Sequence, residues 1–197
     1  MTITKEAFKI YTLGSRLLKM PCKAVELSPI PKESTQVLES LQLVARYYGE
    51  RPHLYGVPIS LCAPKIGKLQ QIFIISNPEN WKDPKKIHDE FDIIINPEIL
   101  DKSEETKQVW ENSFGIQDRV WLVERPTSVK IAYFDENNER RELDIEGDYA
   151  RVFQHEYDQL QGVHVDDVAL ENKKYIDSSV NPWNTKFGRF ISKLFSQ

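Results

Sequence analysis

Gln154-His155-Glu156-Tyr157-Asp158-Gln159-Leu160 gathers an imidazole, a carboxylate and a carboxamide within about one and a half helical turns. In a His-Glu-x-x-His motif, two imidazoles one turn apart ligate a metal while the glutamate works on metal-bound water. Here the first two letters stand and Gln159 replaces the third. A bare His-Glu pair is a weak signal, because a lone histidine is more often a hydrogen-bonded structural residue.

The element that must carry these residues is legible from spacing. Asp148 to Gln161 puts Tyr149, Val152, Phe153 and Leu160 on one helical face, with Gly162 as a stop. Glu156 falls on that apolar face, where an ionised carboxylate is costly without a partner or water beside it. A wet helix rim and a functional carboxylate explain that placement equally well. A second amphipathic helix is expected over Thr35 to Tyr48, ended at Gly49, from the recurrence of Val37, Leu38, Leu41, Val44 and Ala45. A loop with Pro52, Gly56, Pro58 and Pro64 to Gly67 leads to a buried strand at Ile72 to Ile75. Ile93 to Ile95 form another apolar run, which Asn96-Pro97 is expected to stop because proline removes a ladder donor. Val129, Ile131 and Tyr133, a polar turn at Glu136 to Glu139, then Leu143 and Ile145 read as an antiparallel hairpin. Phe187 to Phe195 suggests a terminal amphipathic helix, about residues 185–196, with packing on its own domain favoured over docking to an anionic partner.

Composition narrows the function classes. With 197 residues and 40% hydrophobic content, one domain spanning 1–197 is expected. A formal net charge of -4 argues against a wholly basic, nucleic-acid-binding surface. Lys5, Glu6 and Lys9 interrupt the first residues, so no secretory signal is read there, and no apolar run is long enough to span a bilayer. Two cysteines, Cys22 and Cys62, fit a reducing compartment better than a disulfide framework. A cytoplasmic protein is therefore expected, with no membrane partner.

Several separated segments, in order, carry a family resemblance. Gly14 with Leu17 or Leu18 begins it, and Leu61-Cys62-Ala63-Pro64-Lys65-Ile66-Gly67 resembles a Gly-Leu-Ala-Ala-Pro-Gln-Ile-Gly motif. Ile95-Asn96-Pro97-Glu98-Ile99-Leu100 follows, then Glu111-Asn112-Ser113-Phe114-Gly115, similar to Glu-Gly-Cys-Leu-Ser. Arg125-Pro126, Val129 and Tyr133, and finally Ala150 to Glu156, complete the series. From about Ile10 to Asp167 the chain resembles the peptide deformylases.

The resemblance implies an α+β fold, with antiparallel sheets packed around a central helix that holds the His-Glu pair. It also implies a chemistry, hydrolysis of the formyl group from the initiator methionine of nascent peptides. The family holds a divalent metal, commonly iron, through one cysteine and two histidines, with a fourth position left for water. Carried over, the metal positions are Ser113, His155 and Gln159. Glu156 is the proton-shuttling carboxylate. Lys65, where the family has glutamine, and the second-motif backbone at Phe114 take the oxyanion-stabilising places. Ser60, Leu61 and Cys62 would line the substrate cleft.

Two of the three ligand positions are chemically altered. A serine hydroxyl stays protonated and ligates transition metals poorly, and Gln159 offers only an amide oxygen. Asn112, Gly115 and Cys62 also depart from the family's motifs. No tightly bound cofactor is expected, and iron, zinc or nickel is the implied metal should the chain be active. Lys65, a cation in the old site, is expected to pair with Glu156. The leading expectation is a deformylase-like pseudoenzyme that keeps a cleft for a peptide N-terminus, with the ribosome an implied partner. An active deformylase using His155, Gln159 and Ser113 is the alternative, and Cys62 as nucleophile with His155 as base is a third.

Overall fold

The computed structural model describes residues 9–49, 59–81, 86, 90–116 and 119–174. The proline-rich loop around Pro52 to Pro58 and the expected terminal helix at 185–196 lie outside the described residues.

Helix α1 (Lys32–Gly49) precedes two short strands, β1 (Ser60–Cys62) and β2 (Ile72–Ser76), with a 3-10 turn at Ala63–Ile66 between them. Long strand β3 (Phe91–Lys102) leads to β4 (Thr106–Glu111) and β5 (Arg119–Pro126). A hairpin of β6 (Ser128–Phe134) and β7 (Arg140–Glu146) feeds helix α2 (Gly147–Leu160). A one-turn helix α3 (Val165–Val168) and strand β8 (Glu171–Lys174) follow. The result is an α+β fold with a five-stranded sheet, ordered β1-β2-β3-β6-β7, and a three-stranded sheet, ordered β4-β5-β8; every pairing is antiparallel.

The period-two geometry of a strand explains why Ile72 to Ile75 is apolar throughout. Ile72 and Ile74 pack with Val37, Leu38, Leu41, Val44 and Ala45 of α1. Phe73 and Ile75 point the other way, into a cluster with Ala150, Val152, Phe153 and Leu160 of α2. The sheet is thus buried on both faces, so alternation gives way to a continuous run. Phe73 meets Phe153 edge to face, with ring centroids 5.2 Å apart.

One expectation is overturned. Asn96-Pro97 does not stop the strand, because β3 continues to Lys102. Its ladder with β6 shifts register between Ile95 and Glu98, so Pro97 sits in an irregularity where no ladder donor is needed. Asn96 adopts a φ of 49° and its side chain substitutes for a strand neighbour, accepting from the Val25 amide and donating to the Val25 carbonyl, both at 2.8 Å.

Candidate functional site

Helix α2 points its polar residues inward because its buried face continues past Phe153 to His155, Glu156 and Gln159, all nearly solvent-free. The end of β4 delivers Glu111, and the next residues place Ser113 and Phe114 against the 3-10 turn that carries Lys65. Gly115 then turns the chain with a φ of 84°, and a Cβ there would stand 2.7 Å from Ile10 Cγ2. The sequence-predicted residues Lys65, Ser113, Phe114, His155, Glu156 and Gln159 therefore fall into hydrogen-bond networks around Glu111, around Glu156 and around Lys65.

The first network fixes the helix. Glu111 accepts from Arg125 Nε at 2.6 Å and Nη2 at 3.1 Å, and its Oε2 lies 2.9 Å from His155 Nδ1. Arg125 also donates to Asp158 at 2.7 Å. Burial alone would raise the Glu111 pKa, but the His155 hydrogen bond and the Arg125 charge outweigh it and hold the carboxyl at about 2. With Nδ1 committed, Nε2 is the ring nitrogen that His155 has left for anything else.

Glu156 accepts from Ser60 Oγ at 2.5 Å and from Gln159 Nε2 at 3.2 Å. Those two donors satisfy the carboxylate that periodicity placed on an apolar face, and at 2% exposure Glu156 does not sit on a solvated helix rim. Gln159 Oε1, the atom at the family's ligand position, is buried without a hydrogen-bond partner among the described residues.

A further network centres on Lys65, whose side chain is 1% exposed. Its Nζ lies 2.7 Å from Ser113 Oγ, 3.3 Å from the Phe114 carbonyl oxygen and 3.4 Å from His164 Nε2. The expected ion pair with Glu156 does not form, and no carboxylate pairs with Lys65 among the described residues. The reason is geometric: the ammonium is drawn to the Ser113 segment while Glu156 is already satisfied by Ser60 and Gln159. Burial lowers the Lys65 pKa from its ordinary value, and Glu156 only partly opposes that.

His164 was invisible to motif reasoning, since it stands alone in sequence without a ligand-like spacing. The available signal was the carboxylate two residues on. His164 Nδ1 is 2.8 Å from Asp166 Oδ1, and Nε2 is 3.4 Å from Ser113 Oγ. Burial and the nearby Lys65 push its pKa down to about 4, so the ring is neutral around pH 7.

Ser60 is half-buried at the site, whereas Leu61 and Cys62 are fully buried in the two cores. Burial raises the Cys62 thiol well above its ordinary value, which leaves little thiolate for a nucleophilic role. No hydrogen bond joins Cys62 to His155, whose Nδ1 is held by Glu111.

Comparison with known proteins places these residues in a wider setting. The polypeptide deformylase family model matches residues 7–174. A peptide deformylase from Leptospira biflexa is 31% identical over 156 residues, covering 79% of this chain and 83% of that protein. One from Rickettsia canadensis is 38% identical over 104 residues, covering 52% of this chain and 58% of that protein, so the aligned region spans little over half of that relative. Among solved structures, a peptide deformylase from Synechococcus elongatus in complex with actinonin superposes with a TM-score of 0.69 at 29% identity, covering 87% of this chain and 83% of that one. The Thermotoga maritima peptide deformylase gives 0.68 at 26% identity, over 83% of this chain and 98% of its own.

Proposed function

Since the chain belongs to the polypeptide deformylase family, we propose that it keeps the family's cleft for a peptide N-terminus but lacks efficient metal-dependent deformylase activity. The observation that carries this reading is the Lys65 ammonium, 2.7 Å from the hydroxyl at the family's thiolate-ligand position. A cation at that distance repels a divalent ion and occupies the volume it would need. A neutral alcohol and a carboxamide then stand in for a thiolate and an imidazole, which weakens the grip on iron, zinc or nickel by both charge and donor type. Among the described residues, no group of three or more His, Cys, Asp or Glu side chains could hold a metal ion. The residues present do not fit a tightly held transition metal.

On this reading the ligand is the amino-terminal segment of a polypeptide, met in the cytoplasm as it emerges from the ribosome. Its backbone would add to a sheet edge near β1. A second reading, an active deformylase, draws support from Gln159 Oε1, unpartnered among the described residues, and from Nε2 of His155, whose Nδ1 is the nitrogen held by Glu111; both are ligand atoms that a hard or weakly held metal could use. Metal analysis of protein purified without oxygen, followed by assays on formyl-methionyl peptides, separates the two. Activity confined to a Ser113→Cys plus Gln159→His double variant supports the first; stoichiometric metal and brisk turnover in the unaltered chain support the second.

A further inference from the structure

We propose that strand β7 is a self-association surface, through which a second copy of this chain pairs antiparallel about a two-fold axis at Leu143. The pairing is independent of the state of the polar site beside α2.

Strand β7 ends the larger sheet, and among the described residues only β6 pairs with it. It is a long and regular edge. Its seven residues include no proline or glycine, and they keep one register with β6 from Arg140 to Glu146 without a bulge. Short strands, prolines and bulges are the usual devices that keep an edge solitary, and the opposite edge, β1, is only three residues long. At the two ends of the β6–β7 ladder, the Asp135 amide donates to the Glu139 carbonyl at 3.0 Å and the Gly147 amide donates to the Thr127 carbonyl at 2.9 Å. These bonds turn the odd-numbered residues of β7 toward β6. Arg140, Glu142, Asp144 and Glu146 therefore direct their N–H and C=O groups away from the sheet.

Two copies related by an axis normal to the sheet must match outward residues with outward residues, which leaves few registers. Centring the axis on Glu142 or Asp144 sets like charges face to face. Centring it on Leu143 places Arg140 opposite Glu146 of the second copy, twice by symmetry, and Arg141 opposite Ile145. Leu143 then meets its own counterpart. That leucine is 43% exposed although Ile131, across the ladder from it, is fully buried, so the apolar face that α2 covers runs out at this edge. It falls in a non-hydrogen-bonded pair, the kind with the closer side chains. One contact in this register is unfavourable, Glu142 against Asp144. Lys130 offsets it within each copy, bonded to Glu142 at 2.9 Å and directly across the ladder from Asp144. Arg140 lies 3.0 Å from Glu142, and its guanidinium has further donors for Glu146 of the second copy. Both β7 edges are consumed, so association closes at a dimer, and β1 at the far end of each sheet stays open.

Sedimentation equilibrium of the full chain tests the pairing. One strand against one is a narrow contact, so a monomer passing reversibly to a dimer is expected within about 10–500 µM. Leu143→Lys sets two ammonium groups opposite each other and should weaken the dimer at least about tenfold. Oxidation of single-cysteine variants reads the register, since the native Cys22 and Cys62 are buried. Leu143→Cys brings two thiols within disulfide reach, whereas Glu142→Cys and Asp144→Cys leave theirs offset along the strands, so covalent dimer should form at least about tenfold faster in the first. Circular dichroism establishes that each variant is folded. A chain that stays monomeric at every concentration overturns the proposal, including the case in which slow hydrogen exchange at Glu142 and Asp144 shows the edge covered by another segment of the same chain. A dimer that persists undiminished in Leu143→Lys, or that crosslinks fastest at Glu142→Cys or Asp144→Cys, overturns it as well.

Discussion

At the residue scale, two buried basic side chains behave differently. Arg125 is charged and tied to Glu111 and Asp158, and that pairing raises its already high pKa. Removing one partner of such a pair strands the other, so Glu111→Gln should cost about 3–5 kcal/mol in urea unfolding. Its pH dependence has a definite sign. Glu111 titrates at about 2 when folded against an ordinary 4.5, so its contribution is complete above pH 4.5 and is lost as pH falls toward 2. The wild type should lose stability across that window more steeply than the variant. Lys65 lacks a carboxylate partner, and burial lowers its pKa. Lys65→Met nearly conserves volume and should change stability by less than about 1.5 kcal/mol in the same assay. The identities of Ser113, Gln159 and Lys65 were legible in the sequence because neighbouring motifs set their places. The direction in which the Lys65 amine turns was not, since it depends on Ser60 satisfying Glu156 across 96 positions of sequence.

At the scale of elements, helices α1 and α2 could be read within a few residues of their bounds because their apolar residues recur at helical spacing. The second sheet could not. Thr106 to Gln108 are exposed along β4 and Val109 and Trp110 are half-buried, so no periodic apolar face announces it. Strand β3 misled for another reason, in that Pro97 ordinarily ends a strand and here falls at a register shift, where the Asn96 side chain is held from outside by the Val25 backbone. Asn96→Ala would lose both hydrogen bonds to Val25 and leave a residue with a Cβ at a φ of 49° without the side chain that favours it. A loss of about 2–3 kcal/mol is expected, read from the shift in the thermal unfolding midpoint.

At the scale of the whole molecule, two faces of one sheet are covered by α1 and α2, and the polar networks lie where α2 meets the second sheet. In these networks Arg125 donates to Glu111, and Ser60 and Gln159 donate to Glu156. Because a hydroxyl and a carboxamide make a poor donor set for a transition metal, a chelator should leave the melting temperature of the purified chain unchanged within about 1 °C, whereas a fold that depended on its metal would lose several kcal/mol. No helix among the described residues is long and apolar enough to cross a membrane.

The small sheet carries one more consequence. Strand β5 lies between β4 and β8, and it is the four residues Glu171–Lys174 that cover its second side. Ending the chain at Leu170 would bare a row of amides and carbonyls beside the buried Val120 and Trp121. Such a margin invites a neighbouring molecule to zip on. Light scattering should find the shortened protein self-associating at concentrations where the full chain stays dispersed.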